Sequence, residues 1–161
     1  MAGVTQVGVR PTHRRRGLLT TLMRRQLADI GLVSFAMLSG GKGVHVVVPV
    51  GPGHSWDAHK DFSKRFAEAL SLAEPDRYVA TMSKAKRKGK IFIDWLRNQR
   101  GSTAIMPYSA RAREQAPVAV PVGWDELADI ASPGAWTIKD AKILLDRAAS
   151  PELKGWGFAS Q

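Results

Sequence analysis

The chain has 161 residues, of which 44% are hydrophobic and 24% charged, a composition typical of one soluble domain with a single core. It contains no cysteine and no apolar run near the roughly 20 residues that span a bilayer, so disulfides, thiolate metal sites and a membrane partner are excluded and a cytoplasmic location is expected. The formal net charge of +10 favours polyanionic partners such as nucleic acid, nucleotides or coenzyme phosphates, although a merely basic surface has the same composition.

Hydrophobic patterning along the chain predicts an α+β fold. A glycine, Gly31, is expected to stop the first helix. Apolar runs bounded by glycine and proline predict strands at 6–10, 44–50, 91–96 and 103–106, with an extended segment at 117–121. Amphipathic spacing predicts helices at 15–30, 57–72, 124–130 and 139–148.

A glycine-rich loop, Ser39-Gly-Gly-Lys-Gly-Val-His45, leads into the strand at 44–50. Glycines leave backbone N–H groups free to approach phosphate oxygens, Lys42 adds a positive charge, and His45 can donate to the same phosphates from the strand. The loop is not a Walker A motif, because the spacing differs and a strand follows it instead of a helix. The pattern indicates either a phosphate-binding loop or a simple turn.

Charged residues accompany the next predicted strand. Asp94 lies in the apolar segment 91–96, where a carboxylate requires either a metal ion or a salt bridge to a neighbouring arginine. Arg111 follows the strand predicted at 103–106 and could grip a triphosphate bidentately or remain a solvated loop residue. The five cations among residues 84–90 are typical of a solvated face, but here they would bring charge close to a bound nucleic-acid strand.

Four motifs in order together resemble the polymerase domain of the bacterial ATP-dependent DNA ligase D, within the archaeo-eukaryotic primase superfamily. They are Ser39-Gly-Gly-Lys-Gly-Val-His-Val, Ile-Phe-Ile-Asp94-Trp-Leu-Arg-Asn98, Pro-Tyr-Ser-Ala-Arg111-Ala-Arg and Pro117-Val-Ala-Val-Pro-Val-Gly-Trp124. The resemblance runs from about residue 30 to the C-terminus. It implies a nucleotidyl-transferring enzyme of double-strand-break repair by non-homologous end joining. It also implies a partial primase-like sheet over 44–138, flanked by helices and incomplete relative to the family.

The resemblance assigns roles to single residues. The triphosphate of the incoming nucleotide would be contacted by Ser39, Lys42, His45 and Arg111. Asp94 would be the catalytic carboxylate that holds Mg²⁺ or Mn²⁺, and Arg87 would lie toward the DNA strand.

The metal site implied by the resemblance is incomplete in this sequence. The family supplies two further carboxylates as an Asp-x-Asp pair upstream of the glycine loop, whereas Asp29 is the only acid before Ser39 and no Asp-x-Asp occurs in the chain. Because Mg²⁺ prefers a near-octahedral shell of oxygens, we expect weak metal binding and weak or absent nucleotidyl transfer. A complementing chain could donate the missing ligands.

The first residues differ from the rest, since positions 1–28 hold six arginines and no acid. The segment Val7-Gly-Val-Arg-Pro-Thr-His-Arg-Arg-Arg-Gly17 is similar to the coenzyme-binding segment of GNAT-type N-acetyltransferases, in which a turn before a helix binds pyrophosphate. The candidate turn consists of Arg14, Arg15, Arg16 and Gly17.

These two resemblances predict a chimera of a GNAT-like strand and helix, residues 1–29, and a polymerase-like part, residues 30–161. The first segment is expected either to pad the exposed side of the sheet or to be loosely attached. The alternatives are an N-acetyltransferase fragment and a non-functional chimeric gene product.

Overall fold

The computed structural model describes the backbone of residues 3–9 and 16–158 and the side chains of residues 21–158. In these residues the elements are β1 (Gly3–Val9), α1 (Arg16–Asp29), β2 (Phe35–Leu38), β3 (Val44–Val50), α2 (Trp56–Ala73), β4 (Tyr78–Val79), β5 (Ile91–Asp94), β6 (Val120–Val122) and α3 (Ala141–Ala148). Short 3₁₀ helices lie at 85–87, 138–140 and 151–153. The predicted α+β class is confirmed.

The strands form one six-stranded sheet in the order β4-β5-β1-β3-β2-β6. Neighbouring strands are antiparallel except for the parallel pair β4 and β5. β1 lies in the interior, where it pairs with β3 from Gly3↔Val50 to Val9↔Val44 and with β5 at Gly8↔Asp94. The prediction that the N-terminal strand pads the sheet or is loosely attached is therefore wrong, because β1 is the strand that joins β3 to β5.

The main core lies between one face of the sheet and helices α1 and α2. Side chains alternate between the faces of a strand, so Val46 and Val48 of β3 share the helix-facing side, as do Ile91 and Ile93 of β5. The helices contribute Met23, Leu27, Ala67 and Leu70 to the same cluster, each at most 2% exposed. The opposite face of the sheet is left to other residues, among them His45 and Asp94.

The ends of the first two helices follow local signals in the sequence. α1 ends where Gly31 adopts φ +79°, and Leu32 N–H then donates to the Leu27 carbonyl at 2.8 Å. The predicted helix stop at Gly31 is thus confirmed. α2 begins after Ser55, whose hydroxyl oxygen accepts the N–H of Ala58 at 3.1 Å.

Two predicted elements are wrong. Residues 103–106 form no strand, because β5 already has β4 and β1 as neighbours and no edge of it is free. Residues 124–130 form consecutive turns instead of a helix. There the Trp124 indole N–H donates to the Ser34 carbonyl, and the Gly123 N–H donates to the Glu126 carboxylate, so tertiary contacts fix the backbone.

Two short strands, β2 and β4, are absent from the sequence-based prediction. β2 is a run of four apolar residues and β4 has only two residues. Apolar runs this short carry no period that separates strand from buried helix, so only their pairing in the sheet defines them.

Among residues 16–158, none of the helices combines the length and the apolar character needed to cross a membrane.

Two leucines of α2 provide a matched test of this packing. Leu70 is fully buried in the main core, whereas Leu72 is 83% exposed. We expect Leu70→Ala to lower the free energy of unfolding by roughly 2–5 kcal/mol, because it removes buried methyl groups and leaves a cavity. Leu72→Ala should change it by less than about 0.5 kcal/mol. Chemical denaturation of the variants measures both, and equal losses would contradict the orientation of α2.

Candidate functional site

The loop between β2 and β3 is closed by the hydroxyl of Ser39. Its Oγ accepts the N–H groups of Gly41 and Gly43, each at 3.2 Å, and the Ser39 N–H donates to the Gly43 carbonyl at 3.0 Å. Ser39 is only 4% exposed. Sequence analysis expected the glycine N–H groups to be free for phosphate, but these two are engaged by Ser39. Ser39 therefore braces the loop that carries Lys42.

Gly40 explains why the loop needs a glycine at that position. Its φ is +62°, and a Cβ added there would lie 2.8 Å from the carbonyl carbon of Val118. Both the left-handed backbone and the close approach exclude a larger residue. Gly40 thus fixes the loop against the segment that leads into β6.

Asp94 and His45 lie in one row across the sheet, separated by Gly8. Gly8 of β1 pairs with Asp94 of β5 on one side and with His45 of β3 on the other. Directly opposed residues of antiparallel strands present their side chains on the same face. Since adjacent strands lie about 4.8 Å apart, the two side chains start roughly 10 Å from each other. The backbone of Gly8 lies between them.

A cleft of about 550 Å³ opens on this face of the sheet. It is lined by all the residues to which the sequence assigned a role in the polymerase-like site: Ser39, Lys42, His45, Arg87, Asp94 and Arg111. The nucleotide hypothesis required Asp94 and Lys42 to face the same side of the sheet, and they do. Residues 103–105, wrongly predicted as a strand, also line the cleft.

Asp94 is already partly engaged. One carboxylate oxygen accepts the Leu96 N–H at 3.2 Å, and the other lies 4.0 Å from Nε of Arg97. Its side chain is 29% exposed, because Asp94 is the last residue of β5 and does not lie inside the strand as the sequence suggested. Of the two explanations left open for this carboxylate, the salt bridge is present in the structure.

Two arginines of the cleft are held by the protein itself. Nε of Arg111 donates to the Ser39 carbonyl at 2.9 Å, which ties the segment around 111 to the glycine loop. The Arg87 guanidinium lies 3.5 Å from the ring centroid of Phe92, and its Nε donates to the Thr81 carbonyl at 3.1 Å. Neither side chain is therefore a freely solvated loop residue.

Two further cations line the cleft, Arg97 and Arg113, and sequence analysis assigned them no role. Both lie inside the quoted motifs, three residues after Asp94 and two residues after Arg111. Their closeness in sequence to Asp94 and Arg111 is the signal that could have identified them as site residues. Only the tertiary structure shows that both side chains turn toward the cleft.

Burial and the positive charge of the cleft together control the protonation of His45. Burial, and then the nearby Arg111 and Arg97, lower the pKa of His45 from 6.5 to about 4. Burial, and then Arg113 and Arg97, also lower the pKa of Arg111. His45 is therefore neutral at pH 7, and its Nδ1 is buried without a hydrogen-bond partner among the described residues. As a neutral imidazole it can offer a phosphate a single N–H donor.

The residues present do not fit the divalent metal that the family resemblance implies. In the part of the chain whose side chains are described, no three histidine, aspartate or glutamate residues converge on a metal site. Asp94 is the only carboxylate among the described residues that line the cleft. Since one engaged carboxylate cannot supply an octahedral oxygen shell, the cleft is not a formed metal centre.

The candidate acetyl-coenzyme turn cannot be described in the same way. Arg14 and Arg15 lie outside the described residues. Arg16 and Gly17 are the first two residues of α1, but the side chain of Arg16 is not among those described. The coenzyme role of these four residues stays a prediction.

The low pKa of His45 predicts a pH-dependent stability. The unfolded imidazole takes up a proton below pH 6.5 and the folded one only near pH 4, so acid favours the unfolded chain between these values. We expect stability to fall by on the order of 2 kcal/mol over this window, and His45→Asn to remove that loss. Denaturation at stepped pH, with an NMR titration of His45, measures it; an unchanged slope in the variant would contradict the assignment.

A comparison of Gly40 with Gly89 separates the effect of the close contact with Val118 from the effect of a left-handed backbone. Both have positive φ, +62° and +74°, but nothing lies within 4 Å of a Cβ at Gly89. We expect Gly89→Ala to cost about 1 kcal/mol of stability from strain alone. Gly40→Ala should cost roughly 3 kcal/mol, because the Val118 backbone must also move. Similar losses in the two variants would show that the loop does not press on Val118.

Comparison with known proteins agrees with this geometry. Residues 17–151 match the family described as LigD, primase-polymerase domain. The match begins within α1, earlier than the residue 30 at which the motifs suggested the resemblance starts. The multifunctional non-homologous end joining protein LigD of Pseudomonas aeruginosa is 39% identical over 133 residues, which are 83% of this chain and 16% of that protein.

The polymerase domain of Mycobacterium tuberculosis ligase D, solved in complex with DNA, superposes with a TM-score of 0.79 at 34% identity. The match covers 94% of this chain and 53% of that one. The chain thus spans about half of the solved domain.

A different relative matches a short segment. An uncharacterised N-acetyltransferase of Streptomyces coelicolor is 69% identical over 29 residues, which are 18% of this chain and 7% of that protein. The family match, by contrast, extends over most of the sheet, both later helices and every residue of the polymerase-like site. The chain belongs to the LigD primase-polymerase domain family of non-homologous end joining repair proteins.

Proposed function

We propose that the cleft binds the triphosphate of a nucleotide, and that the adjoining basic loop binds DNA, with weak or no nucleotidyl transfer. The observation that supports this most is convergence: six residues, far apart in sequence and assigned by family resemblance, line one cleft. The rest of the proposal follows from the charge and the contacts of those residues.

The cleft suits a triphosphate because its cations sit around one space. Lys42 is exposed at the tip of the glycine loop, while Arg111 is anchored at its base through the Ser39 carbonyl. A flexible ammonium and a fixed planar guanidinium can together contact several phosphate oxygens. The volume, about 550 Å³, lies in the usual range for a small-molecule site.

DNA would run along the basic segment at residues 84–90. Arg87 turns into the cleft, whereas Lys84, Lys86 and Lys88 are exposed to solvent. A strand whose end reaches the cleft would pass these lysines, which can neutralise its phosphates. The solved relative was captured in complex with DNA, which is the partner we propose for this chain in the cytoplasm.

Catalysis is limited by the small number of carboxylates among the described residues of the cleft. Of the cleft residues that the structure describes, only Asp94 could hold Mg²⁺ or Mn²⁺ through a carboxylate. It already accepts the Leu96 N–H and lies near Arg97. Nucleotidyl transfer would need a complementing chain that donates further oxygen ligands.

Acetyl transfer is less well supported. The two-part origin, residues 1–29 and 30–161, stays a proposal, and the match to an N-acetyltransferase extends over 29 residues only. However, β1 pairs on both sides within the sheet, and Met23 and Leu27 of α1 belong to the main core. This segment serves the polymerase-like fold as a structural part.

Nucleotide binding can be tested with charge-matched variants. We expect Lys42→Ala to weaken binding of a fluorescent nucleoside triphosphate by about tenfold, since a charge-assisted contact is lost. Lys142→Ala removes the same charge from α3, where the side chain is 89% exposed and lies outside the cleft. Its affinity should stay within about twofold of the parent. Fluorescence anisotropy measures both.

Equal losses in the two variants would show that the binding is only a response to net charge. Primer extension on a DNA end, with magnesium or manganese, gives the second readout. Robust extension that Asp94→Ala abolishes would contradict the proposal of weak or absent transfer.

A further inference from the structure

β1, which lies between β5 with Asp94 and β3 with His45, contains no charged residue. β1 reads Gly-Val-Thr-Gln-Val-Gly-Val and contains no acid. The position directly opposite both Asp94 and His45 is Gly8, which has no side chain at all. The register therefore leaves an open gap on the cleft face, at the β1 position directly beside Asp94.

The charges around this gap favour an anion over a cation. Among the residues whose side chains are described, the cleft is lined by one carboxylate and five cationic side chains, Lys42, Arg87, Arg97, Arg111 and Arg113. That carboxylate accepts the Leu96 N–H and has Arg97 4.0 Å from its other oxygen. A divalent cation placed here would meet net repulsion, whereas a triphosphate would relieve the repulsion among the arginines.

We propose that this cleft binds the triphosphate group without a divalent metal, its guanidinium and ammonium groups taking the place of the ion. The inference rests on the proposed function and specifies its ligand: the metal-free triphosphate, whether in a nucleotide or as inorganic tripolyphosphate. Magnesium then acts as a competitor, because it cancels about half of the charge of a triphosphate before the protein can contact it.

The metal dependence of binding tests this directly. Isothermal titration of the full chain with ATP and with inorganic tripolyphosphate is run in EDTA and in excess magnesium at equal ionic strength. We expect binding in EDTA, weakened by roughly threefold to tenfold when magnesium is added. Binding seen only with magnesium would overturn this inference and leave the proposed nucleotide site standing. Binding in neither buffer would overturn both.

A pair of variants at the gap tests the register that underlies the inference. Gly8→Asp adds a carboxylate beside Asp94, and Gly8→Asn adds a side chain of the same size without the charge. We expect Gly8→Asp to bind triphosphate more tightly with magnesium than in EDTA, the reverse of the parent chain, because two carboxylates and phosphate oxygens can hold the ion. Gly8→Asn should keep the preference of the parent chain. Circular dichroism melts confirm that both variants fold, and a folded Gly8→Asp with unchanged metal response would overturn the inference.

Discussion

The pairing of β1 with β3 on one side and with β5 on the other is the interaction on which the rest of the structure depends. β3, which follows the glycine loop, and β5, which ends at Asp94, do not pair with each other and are joined in the sheet through β1. Its hydrogen bonds fix the register, and a shift by one residue would turn Asp94 or His45 to the helix-packed face. Because Asp94 and His45 lie in one row across the sheet, both line the same cleft.

Contacts between distant loops then give the cleft its rigidity. Arg111 holds the Ser39 carbonyl across 72 positions of sequence, and Ser39 in turn closes the glycine loop with its hydroxyl. Gly40 lets that loop press against Val118. The resulting frame holds several cations close together before any ligand arrives. Burial, and then the nearby Arg113 and Arg97, lower the pKa of Arg111. The cleft thus belongs to a member of the polymerase family but has one carboxylate and several cations among its described lining residues. This charge favours phosphates over metal ions.

The sequence by itself determined the elements whose signals are local. β3 follows a continuous apolar pattern and α2 and α3 follow amphipathic ones, so each lies within one or two residues of its predicted position. The residues of the candidate site were also grouped from the sequence, and the structure places them around one cleft. All of them except Arg87 stand in the ordered motifs. Glycines, a lysine and an apolar strand with one carboxylate can be recognised without coordinates.

Tertiary structure alone decided what those residues do to one another. The place of β1 inside the sheet depends on hydrogen bonds to strands that follow it by dozens of residues, and no local pattern encodes that choice. For the same reason residues 103–106 and 124–130 were mispredicted, since neighbouring strands and side-chain anchors override propensity there. The neutral state of His45 arises from burial and from charges brought close in space, and only the fold places Arg97 and Arg113 along the cleft. Electrostatic energy depends on distance and burial, which the order of residues does not contain.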